Sequence, residues 1–392
     1  MNIRILENPR VICSNRNSLH NYFAWPTVAR LPGGQLAMTA SGLRLKHVDP
    51  FGKCILCYSF DEGKTWTPPA VVIDTPLDDR DGGIVSFGEN VMVTSFNNRI
   101  STQLGWLDTE TDFNIGSLSP DSVFRLYDNG DLSCRRKYLE GYLAYVDAEK
   151  AESDFLGSTY RISRDGGFIF GPVEQAPVTA PHGPAAAPDG TLYYVGNPYR
   201  TTDGAAHLQC WHMKESGEWE LMGQIPNISE TVGGASLLSC EPHAVVLPHG
   251  KLLVHIRVQT AYAPGSNHVP YFTLWQSEST DGGRTFSQPR PICEDTLLGA
   301  PPHLLRLSDG TLVCTCGLRE APFGIRALIS RDEGATWSEP FLLYDNGGIS
   351  LDLGYPASVE LRDGSILTVF YAHPEPGAPA EILQVIWRPE ND

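Results

Sequence analysis

The chain has 392 residues, of which 41% are hydrophobic, so it can bury a sizeable core and is not globally disordered. Its 46 acidic and 29 basic residues give a formal net charge of −17. A surface of that charge repels phosphate backbones and anionic headgroups, which excludes nucleic acid and membrane surfaces as favoured partners.

The N-terminal segment MNIRILENPRVIC has no apolar stretch typical of a secretory signal, and no run of about 18 apolar residues occurs. The nine cysteines are an odd number without a pairing pattern, which favours reduced thiols. These features predict a cytoplasmic location. The sequence gives no indication of an oligomeric state.

Six segments share one pattern, in which an apolar stretch, a turn containing Gly, Asp or Asn and a second apolar stretch follow one another. This pattern predicts six β-hairpins. The segments begin at Trp25, Gly82, His182, Glu241, Pro301 and Tyr355.

A second pattern, S-x-D-x-G-x-x-[WF], occurs four times between apolar strands. The Asp side chain can cap backbone amides and the Gly can adopt a positive φ, so each copy predicts a tight turn whose aromatic residue packs on a neighbouring unit. The copies are SFDEGKTW (59–66), SRDGGFIF (163–170), STDGGRTF (279–286) and SRDEGATW (330–337).

The hairpin and the turn together make a unit of four antiparallel strands, and the last four units start 59, 60 and 54 residues apart. Six such units predict an all-β, six-bladed β-propeller that forms a single domain over residues 1–392. The second unit is about 40 residues longer than the others and contains a helical pattern at 135–155. We therefore expect a small helical insertion at about 100–158, and an N-terminal strand that pairs beside the C-terminal EILQVIW.

The connectivity places the start of every first strand and every loop after a hairpin at one mouth of the propeller. A purely structural repeat would have similar residues at these positions. Here the positions differ from repeat to repeat and carry polar and aromatic side chains, which suits a site for a polar and anionic sugar. The strand-opening candidates are Trp25, Asp81, His182, Glu241 and Tyr355. The loop and second-strand candidates are Arg44, His47, Asp49, Arg257, Arg319 and Arg326.

The four S-x-D-x-G turns resemble the Asp boxes of the sialidase (neuraminidase) superfamily, and the resemblance extends over nearly the whole chain. CEPHAVVLPHGKLLVHIR is similar to the superfamily segment with a catalytic Glu and a carboxylate-binding Arg, which the resemblance assigns to Glu241 and Arg257. DLGYPASVELRDGSILTVFY is similar to the segment with the nucleophilic Tyr, here Tyr355.

Two further roles follow from the same resemblance. SGLRLKHVDPFG lies just before the first turn, where the superfamily has its general-acid Asp on a mobile loop, and this assigns Asp49. GIRALISRDEG lies where a further substrate-binding Arg is found, which assigns Arg326, with Arg319 as the second choice.

The sequence departs from the superfamily at its first carboxylate-binding Arg, which opens the first hairpin in an R-I-P segment. Here that segment is Ala24-Trp25-Pro26. Arg44 or Arg80 could reach the same anion from another direction. The acidic sugar is therefore sialic acid, a related ulosonic acid or a uronic acid.

The resemblance implies a retaining exo-glycosidase in which Glu241 activates Tyr355 and Asp49 protonates the leaving group. A neutral Tyr suits an anionic substrate, which would repel a carboxylate nucleophile. For this chemistry we expect the Tyr355 phenol and the Glu241 carboxyl to lie within hydrogen-bond reach.

Two other function classes stay open. One is a uronate polysaccharide lyase with a Tyr or His base, and the other is a non-catalytic glycan-binding propeller. No His, Cys or Asp cluster has metal-ligand spacing and no glycine-rich phosphate loop occurs, so we expect neither a metal nor a cofactor.

Overall fold

The computed structural model describes residues 2–108, 132–198, 207–260, 271–293, 299 and 301–390. For residues 105–108 and 132–136 it describes the backbone only. In this part of the chain the strands form six antiparallel sheets of four or five strands, arranged as the blades of a propeller. The fold class predicted from the repeats is confirmed.

Residues 2–176 contain an N-terminal strand and the strands of two blades. Their bounds are β1 Asn2–Cys13, β2 Tyr22–Arg30, β3 Leu36–Arg44, β4 Lys53–Ser59, β5 Ala70–Ile73, β6 Arg80–Phe87, β7 Asn90–Phe96, β8 Ser158–Ser163 and β9 Glu174–Ala176. Blade 1 has the order β2-β3-β4-β5 and blade 2 has the order β6-β7-β8-β9.

In the described part of the connection between β7 and β8 there are three helices, and they include the segment predicted to be helical. They are α1 Ile100–Asp108, α2 Leu132–Leu143 and α3 Ala148–Phe155. Asp147 caps α3 by accepting a hydrogen bond from the Lys150 amide. The helices pack on the loop between β3 and β4, where the Phe51 and Tyr142 rings have centroids 3.8 Å apart. Among the described residues no helix is long and apolar enough to cross a bilayer.

The rest of the chain forms blades 3 to 6. The strands of blades 3 and 4 are β10 Val178–Thr179, β11 Ala185–Ala186, β12 Leu192–Pro198, β13 Gln209–Met213, β14 Trp219–Gln224, β15 Thr231–Val232, β16 Ala235–Val246, β17 Leu252–Thr260, β18 Phe272–Ser279 and β19 Arg290–Pro291. Those of blades 5 and 6 are β20 His303–Arg306, β21 Leu312–Leu318, β22 Gly324–Ser330, β23 Phe341–Asp345, β24 Gly354–Glu360, β25 Ile366–Ala372 and β26 Glu381–Glu390.

Blade 6 closes the ring with strands from both ends of the chain. Its order is β1-β26-β25-β24, so the N-terminal strand pairs antiparallel with the C-terminal one. This pairing is the one predicted from the sequence. The single strand β1 contains both candidate segments, NIRIL and PRVIC. Because the outermost strand comes from the other end of the chain, the ring closes through backbone hydrogen bonds.

The four S-x-D-x-G turns join the third and fourth strands of blades 1, 2, 4 and 5. In blade 5 the Asp332 carboxylate accepts hydrogen bonds from the Thr336 amide at 2.9 Å, the Thr336 hydroxyl at 2.6 Å and the Ser330 hydroxyl at 2.8 Å. These bonds lower the pKa of Asp332 to about 2. The turns lie at the mouth opposite the strand-opening residues and hold the fold together.

The Trp that ends two of these turns bonds to a Gln of the preceding blade. Trp337 Nε1 donates to Gln276 Oε1 at 2.8 Å, and Gln276 Nε2 donates in return to the Gly334 carbonyl at 2.9 Å. Trp66 and Gln384 repeat the arrangement between blades 1 and 6 at 2.8 Å. The predicted packing of the turn aromatic on a neighbouring blade is therefore reinforced by a hydrogen bond.

Replacing Trp337 with Phe keeps an aromatic ring but removes the indole N–H. We expect the free energy of unfolding to fall by about 1 kcal/mol, the usual net value of one such bond. The structure of the opposite mouth should not change. Chemical denaturation measures the loss, and Trp66→Phe is the matched variant that should behave alike. Unchanged stability in both variants would contradict the role of this bond.

Candidate active site

Four strand-opening residues share an unusual backbone conformation. Trp25, Asp81, Glu241 and Tyr355 have φ values of 56°, 50°, 45° and 48°. Each one lies at an irregularity in the register between the first two strands of its blade. A bulge of this kind redirects a side chain, and a positive φ in a non-glycine residue is strained. The strain is repeated in blades 1, 2, 4 and 6, at the mouth where the sequence predicts the site.

All four side chains line one cavity of about 300 Å³. This volume is at the lower end of the range for small-molecule sites. The lining consists of Trp25, His47, Val48, Arg80, Asp81, Phe96, Asn98, Cys240, Glu241, Arg257, Gln259, Arg319 and Tyr355.

Glu241 lies at the centre of the hydrogen-bond network in the cavity. The Tyr355 hydroxyl donates to Glu241 Oε1 at 2.7 Å, and Arg257 Nη1 donates to Glu241 Oε2 at 2.5 Å. Burial, and then the charge of Glu241, raise the pKa of Tyr355 well above its ordinary value. Tyr355 is therefore a neutral phenol whose proton already points at a base, as the sequence predicts.

Asp81 differs from the other acids of the site because it is protonated. Burial, and then the negative charge of Glu241, raise its pKa to about 8. Its side chain has no hydrogen-bond or ion-pair partner within the described residues, although only 7% of the residue is exposed. A neutral carboxyl group in this position can donate a hydrogen bond to a ligand.

Three guanidinium groups line the cavity. Arg257 pairs with Glu241, and Arg319 lies 5.6 Å from the centre of the Tyr355 ring without an acidic partner in the described part of the chain. Arg80, which the sequence offers together with Arg44 as a replacement for the missing R-I-P arginine, lies 4.1 Å over the Trp25 ring. Trp25 thus takes the position of the R-I-P arginine and holds another arginine against its face.

Two of the predicted site residues lie beneath the cavity instead of lining it. Arg44 is fully buried, forms an ion pair with Asp78 and donates to the His47 carbonyl at 2.9 Å. Asp49 accepts hydrogen bonds from the amides of Leu45 at 2.7 Å and Phe51 at 2.9 Å. Burial raises the pKa of Asp49, but its carboxyl group faces its own loop. These two residues build the loop that carries His47, and the structure does not bring them to the ligand space.

Two other predicted residues lie elsewhere. Arg326 is in β22, paired in register with Cys316 of β21 and Leu342 of β23, and does not line the cavity. His182 forms a cluster with His243 and His303, with ring centroids 4.4 to 5.6 Å apart. Burial lowers the pKa of all three imidazoles, so they are neutral.

The His182 cluster is a structural contact between blades. His243 Nδ1 accepts the Leu304 amide at 2.9 Å and His303 Nδ1 accepts the Ser358 amide at 3.3 Å. Nδ1 is therefore unprotonated in both rings and Nε2 carries the proton, which makes both rings unsuitable as metal ligands through Nε2. In the described residues no group of His, Cys, Asp or Glu has the arrangement of a metal site.

The family of the chain follows from a comparison with known domains. The model of the BNR repeat-like domain matches residues 153–368, more than half of the chain. The chain belongs to this BNR repeat-like family. No curated protein matches it by sequence.

Solved structures share the fold of this BNR repeat-like protein over nearly its whole length. A protein of unknown function from Dyadobacter fermentans is 20% identical with a TM-score of 0.70, over 98% of this chain and 99% of that one. An intramolecular trans-sialidase from Ruminococcus gnavus is 16% identical with a TM-score of 0.58, over 96% of both chains. An α-L-arabinanase from Penicillium chrysogenum is 13% identical with a TM-score of 0.57, over 97% of both.

These likenesses establish the fold, and together with the domain match they confirm the superfamily predicted from the sequence. The propeller fold of this BNR repeat-like protein is thus shared with proteins described as an intramolecular trans-sialidase and as an α-L-arabinanase.

The protonation of Asp81 predicts a pH effect on stability. An ordinary Asp has a pKa of about 3.9, so between about pH 4 and pH 8 the folded protein holds a proton that the unfolded chain has lost. The stability that this proton contributes therefore falls between about pH 4 and pH 8 and is lost above pH 8. Asp81→Asn removes the titration, so its unfolding midpoint should rise relative to that of the wild type between about pH 5 and pH 9.

Thermal unfolding of the two proteins across this pH range measures the difference. Asp189→Asn, at a turn outside the cavity where backbone hydrogen bonds lower the pKa of the carboxyl group, is the control and should show no such gain. A constant difference between wild type and Asp81→Asn would mean that Asp81 is ionised throughout.

Proposed function

We propose that this protein is a retaining exo-glycosidase that removes a terminal acidic sugar, namely sialic acid or a related ulosonic or uronic acid, from a glycan. The observation that carries the proposal is the hydrogen bond of 2.7 Å from the Tyr355 hydroxyl to Glu241, in a cavity lined by Arg257 and Arg319. Tyr355 acts as the nucleophile and Glu241 as its base.

Tyr355 needs a base because its pKa is raised. A phenol with a raised pKa is a poor nucleophile until a base takes its proton, and Glu241 Oε1 is within reach for this transfer. Arg257 holds the other oxygen of Glu241, which fixes the direction of the carboxylate. The neutral phenol also approaches an anionic sugar without the repulsion that a carboxylate would meet.

The charges of the cavity favour an anionic substrate. Three guanidinium groups, those of Arg80, Arg257 and Arg319, line the cavity with two acidic side chains, Glu241 and Asp81, and the pKa of Asp81 is raised to about 8. Arg319 donates to the Leu353 carbonyl at 3.3 Å and to the Tyr371 hydroxyl at 3.5 Å, which positions its charge without neutralising it. A carboxylate on the sugar would pair with Arg319 and Arg257.

The size of the cavity favours an exo mode of action. A volume of about 300 Å³ accommodates one sugar ring with its carboxylate and not a longer segment. The neutral carboxyl group of Asp81 would donate to an oxygen of that ring. Asp49 faces away from the ring, so the proton for the leaving group comes from another residue of the cavity, either Asp81 or His47.

Replacing Tyr355 with Phe or Glu241 with Gln should lower the turnover of aryl glycosides of acidic sugars by at least about 100-fold, the usual size of such a contribution. The phenol leaving group is followed by its absorbance and the anomeric configuration of the product by NMR. Tyr160→Phe is the matched control, because the Tyr160 hydroxyl also donates to a glutamate, Glu174, at 2.7 Å but lies outside the cavity.

Full activity of Tyr355→Phe on a substrate that the wild type hydrolyses would refute the nucleophile. An unsaturated product with near-ultraviolet absorbance would indicate a lyase. Calorimetric binding of the sugar without turnover would indicate a glycan-binding propeller.

A further inference from the structure

Asp81 is held in place by its backbone and not by its side chain. The carbonyl of Arg80, just before it, accepts a hydrogen bond from the Ser95 hydroxyl at 2.7 Å. The carbonyl of Gly82, just after it, accepts one from the Thr39 hydroxyl of blade 1 at 2.6 Å. A Cβ atom on Gly82 would lie 2.6 Å from a backbone nitrogen of blade 1, so the two blades are in close contact here. The backbone that presents Asp81 at a φ of 50° is therefore fixed.

The carboxyl group of Asp81 differs from those of the acids around it. Asp78 is paired with Arg44, and Asp49 accepts hydrogen bonds from two backbone amides. Asp81 is buried in the wall of the cavity and has no such partner among the described residues. Burial, and then the charge of Glu241, raise its pKa to about 8, so it carries a proton at neutral pH. A buried donor of this kind needs an acceptor, and a ligand in the cavity supplies one.

The fold places Asp81 across the cavity from Tyr355 and Glu241. Each blade contacts the blades before and after it, and these three residues belong to blades 2, 6 and 4. Alternate blades of a six-bladed ring are about one third of a turn apart, so the three side chains approach the cavity from three directions. A sugar ring bound there has the Tyr355 hydroxyl on one side and the proton of Asp81 on another.

We propose that Asp81 is the acid and base that serves the leaving group in this site, in place of the aspartate that the superfamily resemblance assigns at Asp49. The inference rests on the proposed glycosidase function and adds to it the residue that exchanges a proton with the substrate. The other candidate for this role, His47, has its Nδ1 3.1 Å from Asp352 Oδ1, so one of its ring nitrogens is already engaged.

The first step forms the bond between Tyr355 Oη and the anomeric carbon while the bond from that carbon to the leaving oxygen breaks. The Tyr355 proton passes to Glu241, and the Asp81 proton passes to the leaving oxygen. In the second step water attacks the anomeric carbon and gives a proton to Asp81. The bond to Oη breaks, and Oη takes its proton back from Glu241.

Asp81 becomes more acidic at the moment when it must give up its proton. After burial, the negative charge of Glu241 is the second cause that raises the pKa of Asp81. That charge disappears when Glu241 takes the Tyr355 proton, so the pKa of Asp81 falls in the same step. The two carboxyl groups thus hold one proton and one negative charge between them before and after each step.

The pH dependence of the reaction should follow Asp81 on its alkaline side. The acid must be protonated in the free enzyme, so kcat/KM should fall as the pH rises through about 8. The other charged and titratable groups that interact with Asp81 among the described residues do not change their charge in either step. They are Arg44, Arg80, Asp78, Tyr355, Tyr194 and Cys54.

The test compares two aryl glycosides of one acidic sugar, with a good and a poor leaving group. A good leaving group departs without protonation, so Asp81→Asn should lower kcat/KM at least about 100-fold for the poor leaving group and by a far smaller factor for the good one. The fall in kcat/KM near pH 8 should be absent from the variant. Sodium azide needs no base to attack the glycosyl–Tyr355 intermediate, so it should accelerate the variant on the good substrate and yield a glycosyl azide.

Asparagine still donates a hydrogen bond, so this variant separates proton transfer from simple binding of the sugar. Asp79→Asn is the matched control, because Asp79 is also a buried acid, with a pKa raised to about 7, but its carboxyl group accepts hydrogen bonds from the Thr75 amide and hydroxyl. Any loss in Asp79→Asn should be equal for the two substrates. His47→Gln is measured in parallel, and thermal unfolding of each variant separates a folding defect from a chemical one.

Equal losses on both substrates in a folded Asp81→Asn, or a dependence on the leaving group in His47→Gln but not in Asp81→Asn, would overturn the role of Asp81 and leave the glycosidase proposal intact. A wild-type protein that hydrolyses none of the acidic glycosides would overturn the proposed function, and the role of Asp81 with it.

Discussion

The site depends on one backbone constraint, which four blades share. In each of these blades one residue in the first strand of the hairpin is held at a positive φ within a bulge, and this turns Trp25, Asp81, Glu241 and Tyr355 out of the regular alternation. The strain persists because the blades on either side are fixed by complete antiparallel pairing. A repeat that is structural everywhere else becomes functional at this position, where each copy can carry a different side chain without any change in the fold.

The second property of the site is its arrangement of charged and protonated groups. Glu241 is shared between Tyr355 and Arg257, and its negative charge contributes to raising the pKa of both Tyr355 and Asp81. Burial, and then this one carboxylate, therefore raise the pKa of two neighbouring groups, while Arg319 retains its positive charge. The cavity is suited to a ligand that brings a carboxylate for the arginines and oxygen atoms for the protonated groups.

The blades and the strand-opening residues could be predicted because they recur, and a recurring pattern fixes both the strands and the end at which they begin. Glu241, Tyr355, Asp81, Arg257 and Arg319 accordingly line the cavity. The loop residues do not recur from blade to blade, so the repeat pattern does not predict which way their side chains point. Arg44 is turned inward because it forms an ion pair with Asp78, which lies three residues before the predicted Asp81. Asp49 is turned inward because two backbone amides donate hydrogen bonds to its carboxyl group. Asp352, whose Oδ1 lies 3.1 Å from His47 Nδ1, was not singled out from the sequence, since only the tertiary fold brings the two residues together.

The central claim is that Tyr355 forms a covalent bond to the sugar, and mass spectrometry tests it directly. A fluorinated acidic glycosyl fluoride slows the hydrolysis of such an intermediate, so that it accumulates. After proteolysis we expect the mass of one sugar on the peptide that contains Tyr355, and no label in Tyr355→Phe. A label on another residue, or substrate turnover without any label, would contradict the account.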